Sequence, residues 1–326
     1  MPDPDNVVFL SYKRDDVDND TSIYRTPMDD VFSNHVREVY YYPEANILSM
    51  LLTNISYSAV LQQFTRHRSF AYSVESSRAH KLNLSFMPIW RMQTDGKMFD
   101  AGIPSRSRVH LLDTLWMVDR TINMFFYKLY TALGVHRQHA QLPIKPYAVV
   151  DMFVTGNTKA WEHFIDLRDD EKKGTQSDIV DVAQSIKRAY SNVIDAVSTQ
   201  AIPHTPTSCS SHGRYTMRYH IVERLKPNTL YGPRLISHPL TDDLSSSSDH
   251  ILDDDDIATA IASVTRISTG SHNRSSTQPN TGFVKWLAKN KHASPFEHFW
   301  LYTPGERYGY LQNAKNLRYV LDLDAW

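Results

Sequence analysis

QQFTRHRSFAYSVESSRAH, Gln62 to His80, sets three arginines, Arg66, Arg68 and Arg78, within thirteen residues, with Glu75 the one acid among them. Guanidinium groups spaced this closely repel one another unless an anion or buried carboxylates lie between them. Residue type alone leaves two readings open. One is a phosphate site, because arginine forks grip phosphate oxygens bidentately and a hydroxyl such as that of Ser76 can complete the shell. The other is a cluster of surface ion pairs. Immediately before it, Ala45 to Phe64 carries no charge and is about as long as a membrane span. Its polar residues, among them Asn46, Ser49, Thr53, Gln62 and Gln63, mark it instead as a buried segment, read here as helical after the turn in YYYPEA, Tyr40 to Ala45.

Further along, Leu111, Leu112, Leu115, Trp116, Val118, Ile122, Phe125, Phe126 and Leu129 recur at three and four, which predicts an amphipathic helix over Val109–Leu133. PYAVVDMFVTG, Pro146 to Gly156, reads as a strand, and TKAWEHFIDLR and IVDVAQSIKRAYSNVIDAV read as two helices after it. The class is therefore α+β. Residues 201–256 change composition: a Ser run is followed by acids, and between Thr241 and Asp256 there are seven acids and no Lys or Arg. That predicts a polar, acidic surface insertion. It would divide a core at 1–200, bearing the Arg-His-Arg motif, from residues 257–326, the C-terminal part of the same core. Near that end, Ser294 before Pro295, with Glu297 three residues on, predicts a capped helix start after a helix at Thr281–Asn290.

Composition removes several function classes. Thirty-five Lys+Arg against 36 Asp+Glu leave a net charge of −1, so no overall field attracts nucleic acid or an anionic membrane. The single cysteine, Cys209, permits no intramolecular disulfide and no Cys-rich zinc site. His292 and His298 lack the spacing of a zinc motif, so no metal is expected. Eleven scattered glycines include no GxGxxG after a strand, against a Rossmann oxidoreductase. The acidic start, MPDPDN, does not read as a secretory signal, and a cytoplasmic location is expected.

Taken together, these motifs resemble the flavin-dependent thymidylate synthase family. The family signature of Arg-His-Arg, seven residues, Ser and an Arg two further on is matched by Arg66-His67-Arg68, Ser76 and Arg78, with Gln63 three residues before it. The family's Ser/Thr-Pro-Phe-Glu-His element is matched by Ser294 to His298. Thr265-Arg266-Ile267-Ser268 and the set Asn157, Lys159, Phe164, Leu167, Arg168 echo two further family segments. The Pro-Phe-Glu-His element follows the Arg-His-Arg motif here, whereas it precedes it in compact members, as a circularly permuted longer branch would have it. Leu142 stands where the family places an arginine for the substrate phosphate, Lys159 replaces an arginine and Val74 a common glutamate.

The resemblance implies transfer and reduction of a one-carbon unit from methylenetetrahydrofolate to C5 of dUMP, with FAD as cofactor and NADPH as reductant. It implies that Ser76 and Arg78 are catalytic and that Gln63, Arg66 and Arg168 join them at the nucleotide. FAD would meet Arg66, His67, Arg68, Asn157, Lys159, His163, Ser268, Ser294 and Glu297, within a homotetramer. Cys209, in a Ser-rich setting, does not suit the cysteine nucleophile of the classical route. A relative that has lost catalysis, or one acting on another pyrimidine nucleotide, is the alternative.

Overall fold

The computed structural model describes residues 23–33, 35–74, 82–94, 97–171, 175–199, 215–240, 248–265, 281–308 and 311–323. Its centre is a six-stranded sheet in the order β1 (Ile23–Ser33), β8 (Tyr215–Val222), β2 (Val36–Tyr42), β3 (Ile47–Ser56), β7 (Val149–Asn157), β4 (Phe70–Val74). All its pairs are antiparallel except β2 with β8, which run parallel. A second sheet runs β10 (Ile236–Pro239), β9 (Thr229–Gly232), β11 (Trp300–Tyr308), β12 (Leu311–Asn316), and a short hairpin joins β5 (Met92–Thr94) to β6 (Lys97–Gly102). The mixed α+β class read from the sequence is the class of the structure.

The central sheet is buried on both faces. Leu48, Met50 and Leu52 of β3 and Met152 and Val154 of β7 enter one core with α1 (Leu61–Phe64), α4 (Thr158–Arg168) and α5 (Ser177–Thr199). Ile47, Leu51 and Phe153 point the other way, into a core shared with α7 (Asp255–Val264), α8 (Thr281–Lys289) and the second sheet. This corrects the helical reading of Ala45–Phe64. A strand covered on both faces shows a continuous apolar run rather than alternation, and such a run cannot be told from a buried helix by periodicity. Only Leu61–Phe64, at its end, is helical.

The reading of 201–256 as a surface insertion also fails over its described residues. Met217, Tyr219 and Ile221 of β8 are buried between β1 and β2. Ile251 and Leu252 of α6 (Ser248–Asp253) are buried, and Asp254 caps α7 by accepting from Asp256 N and Ile257 N at 3.0 Å. Acids that read as a solvated run are thus helix-start residues, stabilised by the free N–H groups there.

Beside β8, strand β2 carries a buried carboxylate that is paired from the turn between β9 and β10. Glu38 lies opposite Arg218 in the β2–β8 register and is held bidentately by Arg234, at 3.1 and 3.2 Å, with Tyr40 donating to it at 3.0 Å. Burial raises the Glu38 carboxyl, but Arg234 and these hydrogen bonds outweigh it and hold the group below the usual carboxylate range.

The expected helix over Val109–Leu133 is α2 (Arg106–Ala132), but none of its residues is buried. It follows the hairpin and leads, through α3 (Arg137–Ala140) and a turn at Leu142–Tyr147, into β7.

Candidate functional site

The Arg-His-Arg motif occupies the turn between α1 and the edge strand β4. Tyr72 of β4 shapes that turn, its hydroxyl donating to the carbonyls of Phe64 at 2.7 Å and His67 at 2.6 Å. Beneath it, Phe70 lies across Gly156 of β7, where a Cβ would stand 2.4 Å from the ring, so only glycine fits. Arg66 and Arg68 are exposed, with no ion-pair partner among the described residues.

His67 points the other way, onto α4, with its ring 5.0 Å from Phe164 and 6.4 Å from His163. Burial, then the Arg168 guanidinium and His163, hold its imidazole below the usual range, so it is neutral at pH 7. Its Nε2 is buried without a hydrogen-bond partner, and so is Nε of Arg168. Unpaired buried polar atoms are rare and mark places where another group completes the set. Gln63, half-buried, donates to Gln176 at 2.7 Å and to the Ala59 carbonyl at 3.0 Å. The turn, the C-terminal half of α4 and the start of α5 therefore meet at one locus.

Not every expected residue joins it. Asn157 ends β7 and caps α4, its Oδ1 accepting from Ala160 N at 2.8 Å. Lys159 is exposed in the first turn of α4, whereas Arg168 closes that helix, about 14 Å away by the rise of nine residues. Asn157, Lys159, His163 and Arg168 therefore run along the length of α4. Ser76, Arg78 and Ser268 lie outside the described residues.

The Ser-Pro-Phe-Glu-His element packs directly against this turn from the opposite end of the sequence. It is a 3-10 turn, Ser294–His298, and not the capped helix start expected: Ala293 occupies the cap position and makes no side-chain cap. The Ser294 hydroxyl donates instead to the carbonyl of Tyr72, and Glu297 pairs with Arg318. His298, read from the sequence only as the end of the family element and as no zinc ligand, fastens the element. It is fully buried and bonded through Nδ1 to Thr155 Oγ1 at 2.8 Å, which in turn bonds Ser49 at 2.7 Å. Burial pushes its imidazole down to about 3. Tyr72 was missed, and Phe164 was named only as a match to a family segment; both are aromatic side chains whose role appears only when the turn is folded onto α4.

Leu142, at the position of the missing arginine, is 55% exposed at the start of its turn, and nearby Lys145 lies 5.3 Å over the Tyr57 ring. A different cluster, His238, Asp254 and Asp256, brings three potential metal ligands within 4.8 Å of one another. Asp254 is committed there to capping α7 and pairing with His238.

The site is thus an arginine-rich turn on the edge strand of an α+β sheet, packed against α4 and the Ser294–His298 turn. Residues 41–194, a little under half of the chain, match the family described as Thymidylate synthase complementing protein. No curated protein matches it in sequence. Among solved structures, it is similar to a UMP/dUMP methylase PolB from Streptomyces cacaoi bound with 5-Br dUMP, at 18% identity and a TM-score of 0.41, over 49% of this chain and 73% of that one. The same enzyme bound with 5-Br UMP gives 18% and 0.40, over 49% and 76%.

Proposed function

We propose that this protein methylates dUMP at C5 to give dTMP, with FAD as resident cofactor and methylenetetrahydrofolate and NADPH as co-substrates. The observation that carries the reading is the turn at Arg66–Arg68: two exposed guanidiniums without ion-pair partners among the described residues, beside a neutral His67 and an Arg168 that each keep a buried polar atom unpaired there. That donor set fits a group bearing phosphates and a flat polar ring. Bound flavin supplies the hydride that reduces the transferred carbon. The chain's own work is to bind and orient. Arg66 and Arg68 neutralise phosphate charge, His67 and Arg168 offer ring donors, Ser294 holds strand β4 through Tyr72, and Ser76 and Arg78, which follow that strand in the sequence, are the proposed catalytic pair at the nucleotide. Asn157 and Lys159 at the start of α4, His163 on it, and Ser268 and Glu297 complete the proposed FAD shell. The packing of Ser294 on Tyr72 supports a permuted order of the family's blocks, because the late element reaches the early motif in space. The proposed assembly is a homotetramer in the cytoplasm.

Exposed Leu142 favours one narrower alternative, a different pyrimidine nucleotide as substrate. The test is purification with flavin retained, followed by oxidation of the reduced flavin on adding dUMP and methylenetetrahydrofolate. Turnover dependent on dUMP is expected, with Arg78→Ala losing about a hundredfold, the effect of removing one charge-stabilising donor. A colourless protein that neither takes up FAD nor responds to dUMP, UMP or dCMP would sink the enzyme reading.

A further inference from the structure

The side-chain amide of Gln63 is held in one orientation by a chain of hydrogen bonds that is fixed at both ends. Its Nε2 donates one hydrogen to the Ala59 carbonyl at 3.0 Å and the other to Gln176 Oε1 at 2.7 Å. A backbone carbonyl can only accept, so the NH2 group must face it. Gln176 is set from the opposite direction. Its Nε2 donates to Asp178 Oδ2 at 3.1 Å, while Asp178 Oδ1 accepts from the Ile89 amide at 3.0 Å, and a backbone N–H can only donate. Asp178 is buried. Burial raises its carboxyl above the usual range, but the bonds from Ile89 and Gln176 act against that rise and favour the charged, accepting form. Turning either amide over would set donor against donor or acceptor against acceptor along the chain.

One polar atom of the chain is left over. Both hydrogens of the Gln63 amide are spent, and its Oε1 has no partner among the described residues, on a half-buried side chain three residues before Arg66. The start of α5, which carries Gln176, is fastened to the end of α4 by Thr175, buried and donating to the Leu167 carbonyl at 3.0 Å, next to Arg168. The chain of bonds therefore belongs to the locus of the arginine turn. We infer that Gln176 and Asp178 are positioning residues that keep the Gln63 carbonyl oxygen as the acceptor of this locus, so that Gln63 meets a donor on the nucleoside half of the bound nucleotide, the ring imide N–H or a sugar hydroxyl, and not its phosphate. The inference rests on the nucleotide reading of the locus. An ionised phosphate offers only acceptors, whereas Arg66 and Arg68 are donors only, so the guanidiniums suit phosphate and the Gln63 oxygen does not. The locus thus has a polarity, with cations for one end of the nucleotide and an oriented acceptor for the other.

The experiment measures dissociation constants by calorimetry on the protein as purified, for wild type, Q63M, Q176M and D178N, with thermal melts on the same samples. The ligands are dUMP, dUMP methylated at its imide nitrogen, the dideoxyribose analogue of UMP, and inorganic phosphate. Each variant is expected to weaken dUMP about three- to tenfold, the worth of one neutral hydrogen bond, and to leave inorganic phosphate unchanged. The loss should vanish for one analogue: the methylated ring if the imide is the donor, the dideoxyribose compound if a hydroxyl is. A merely structural role would weaken all the nucleotides alike. A loss of equal size for the three nucleotides, a loss for phosphate, or no loss in any variant overturns the inference. Should Q176M or D178N fail to fold, Q63M carries the same comparison alone. A wild type that binds no nucleotide overturns the nucleotide reading and this inference with it, whereas nucleotides bound without the ligand-dependent loss overturn this inference only.

Discussion

Acid should weaken this protein through His298. Its imidazole is fully buried with a folded value of about 3, whereas an unfolded chain holds histidine near about 6.5. The folded state therefore binds fewer protons between those values. Stability from this group is complete above the unfolded value and is lost as pH falls toward the folded one, approaching about 1.4 kcal/mol per pH unit. Worked through the two values, the loss is about 0.8 kcal/mol at about pH 6 and about 2 kcal/mol at about pH 5.

Other groups titrate in the same range, His67 among them, so the wild-type curve alone does not isolate His298. His298→Asn does. Asparagine keeps a side-chain donor in reach of Thr155 and cannot titrate, so it forfeits some packing at all pH values but none of the proton linkage. Urea unfolding followed by tryptophan fluorescence, at steps from about pH 8 to about pH 5, gives both curves. The gap between them should narrow on acidification by about 2 kcal/mol. Parallel curves would refute the reasoning, because they would mean that His298 takes up its proton without unfolding and is not sealed beneath the Ser294–His298 turn.

Three further outcomes are expected. Arg66→Ala and Arg68→Ala should each lower FAD retention while shifting stability by no more than about 0.5 kcal/mol, since both side chains are exposed and make no ion pair among the described residues; flavin absorbance and thermal melts on the same samples check this. Gly156→Ala forces a methyl into the Phe70 ring and should cost about 1–3 kcal/mol by urea titration, with weaker flavin retention because Phe70 supports the arginine turn. Leu142→Arg should tighten dUMP about ten- to hundredfold if the phosphate is under-coordinated, the worth of a charge-assisted contact; unchanged dissociation constants for dUMP and UMP would show that this position does not reach the phosphate.

The arginine turn was legible because its information lies in residue identity over a short span. Three guanidiniums with a single acid between them state a charge problem that local sequence cannot solve, whatever the fold. α4 and α5 were legible for a related reason: each buries one face, so its period survives in the sequence, as in Trp161, Phe164 and Ile165 or Ile179, Val182, Ala183 and Ile186. β3 was not, because it is covered on both sides and the burial that should announce a strand erases its alternation. β8 was hidden differently. Its inward residues, Met217, Tyr219 and Ile221, alternate with Arg218 and His220, which looks solvated until Glu38 and Arg234 appear on the neighbouring segments.

α2 shows the limit of periodicity itself. The three-and-four recurrence gives the helix but not which side the stripe faces, and the polar residues that turn out to hold it, Asp113, Arg120 and Asn123, read as its solvent side. The Ser-Pro-Phe-Glu-His element was misread by the same logic. Ser, Pro and Glu at those offsets satisfy the local rule for a helix start, and that rule would have governed had the segment been free. It is instead drawn down by His298 onto Thr155, more than a hundred residues earlier, and Ser294 and Glu297 spend their side chains on Tyr72 and Arg318. One buried imidazole thus decides how two distant motifs meet, which is why its protonation should loosen the turn and the Ser294 contact together.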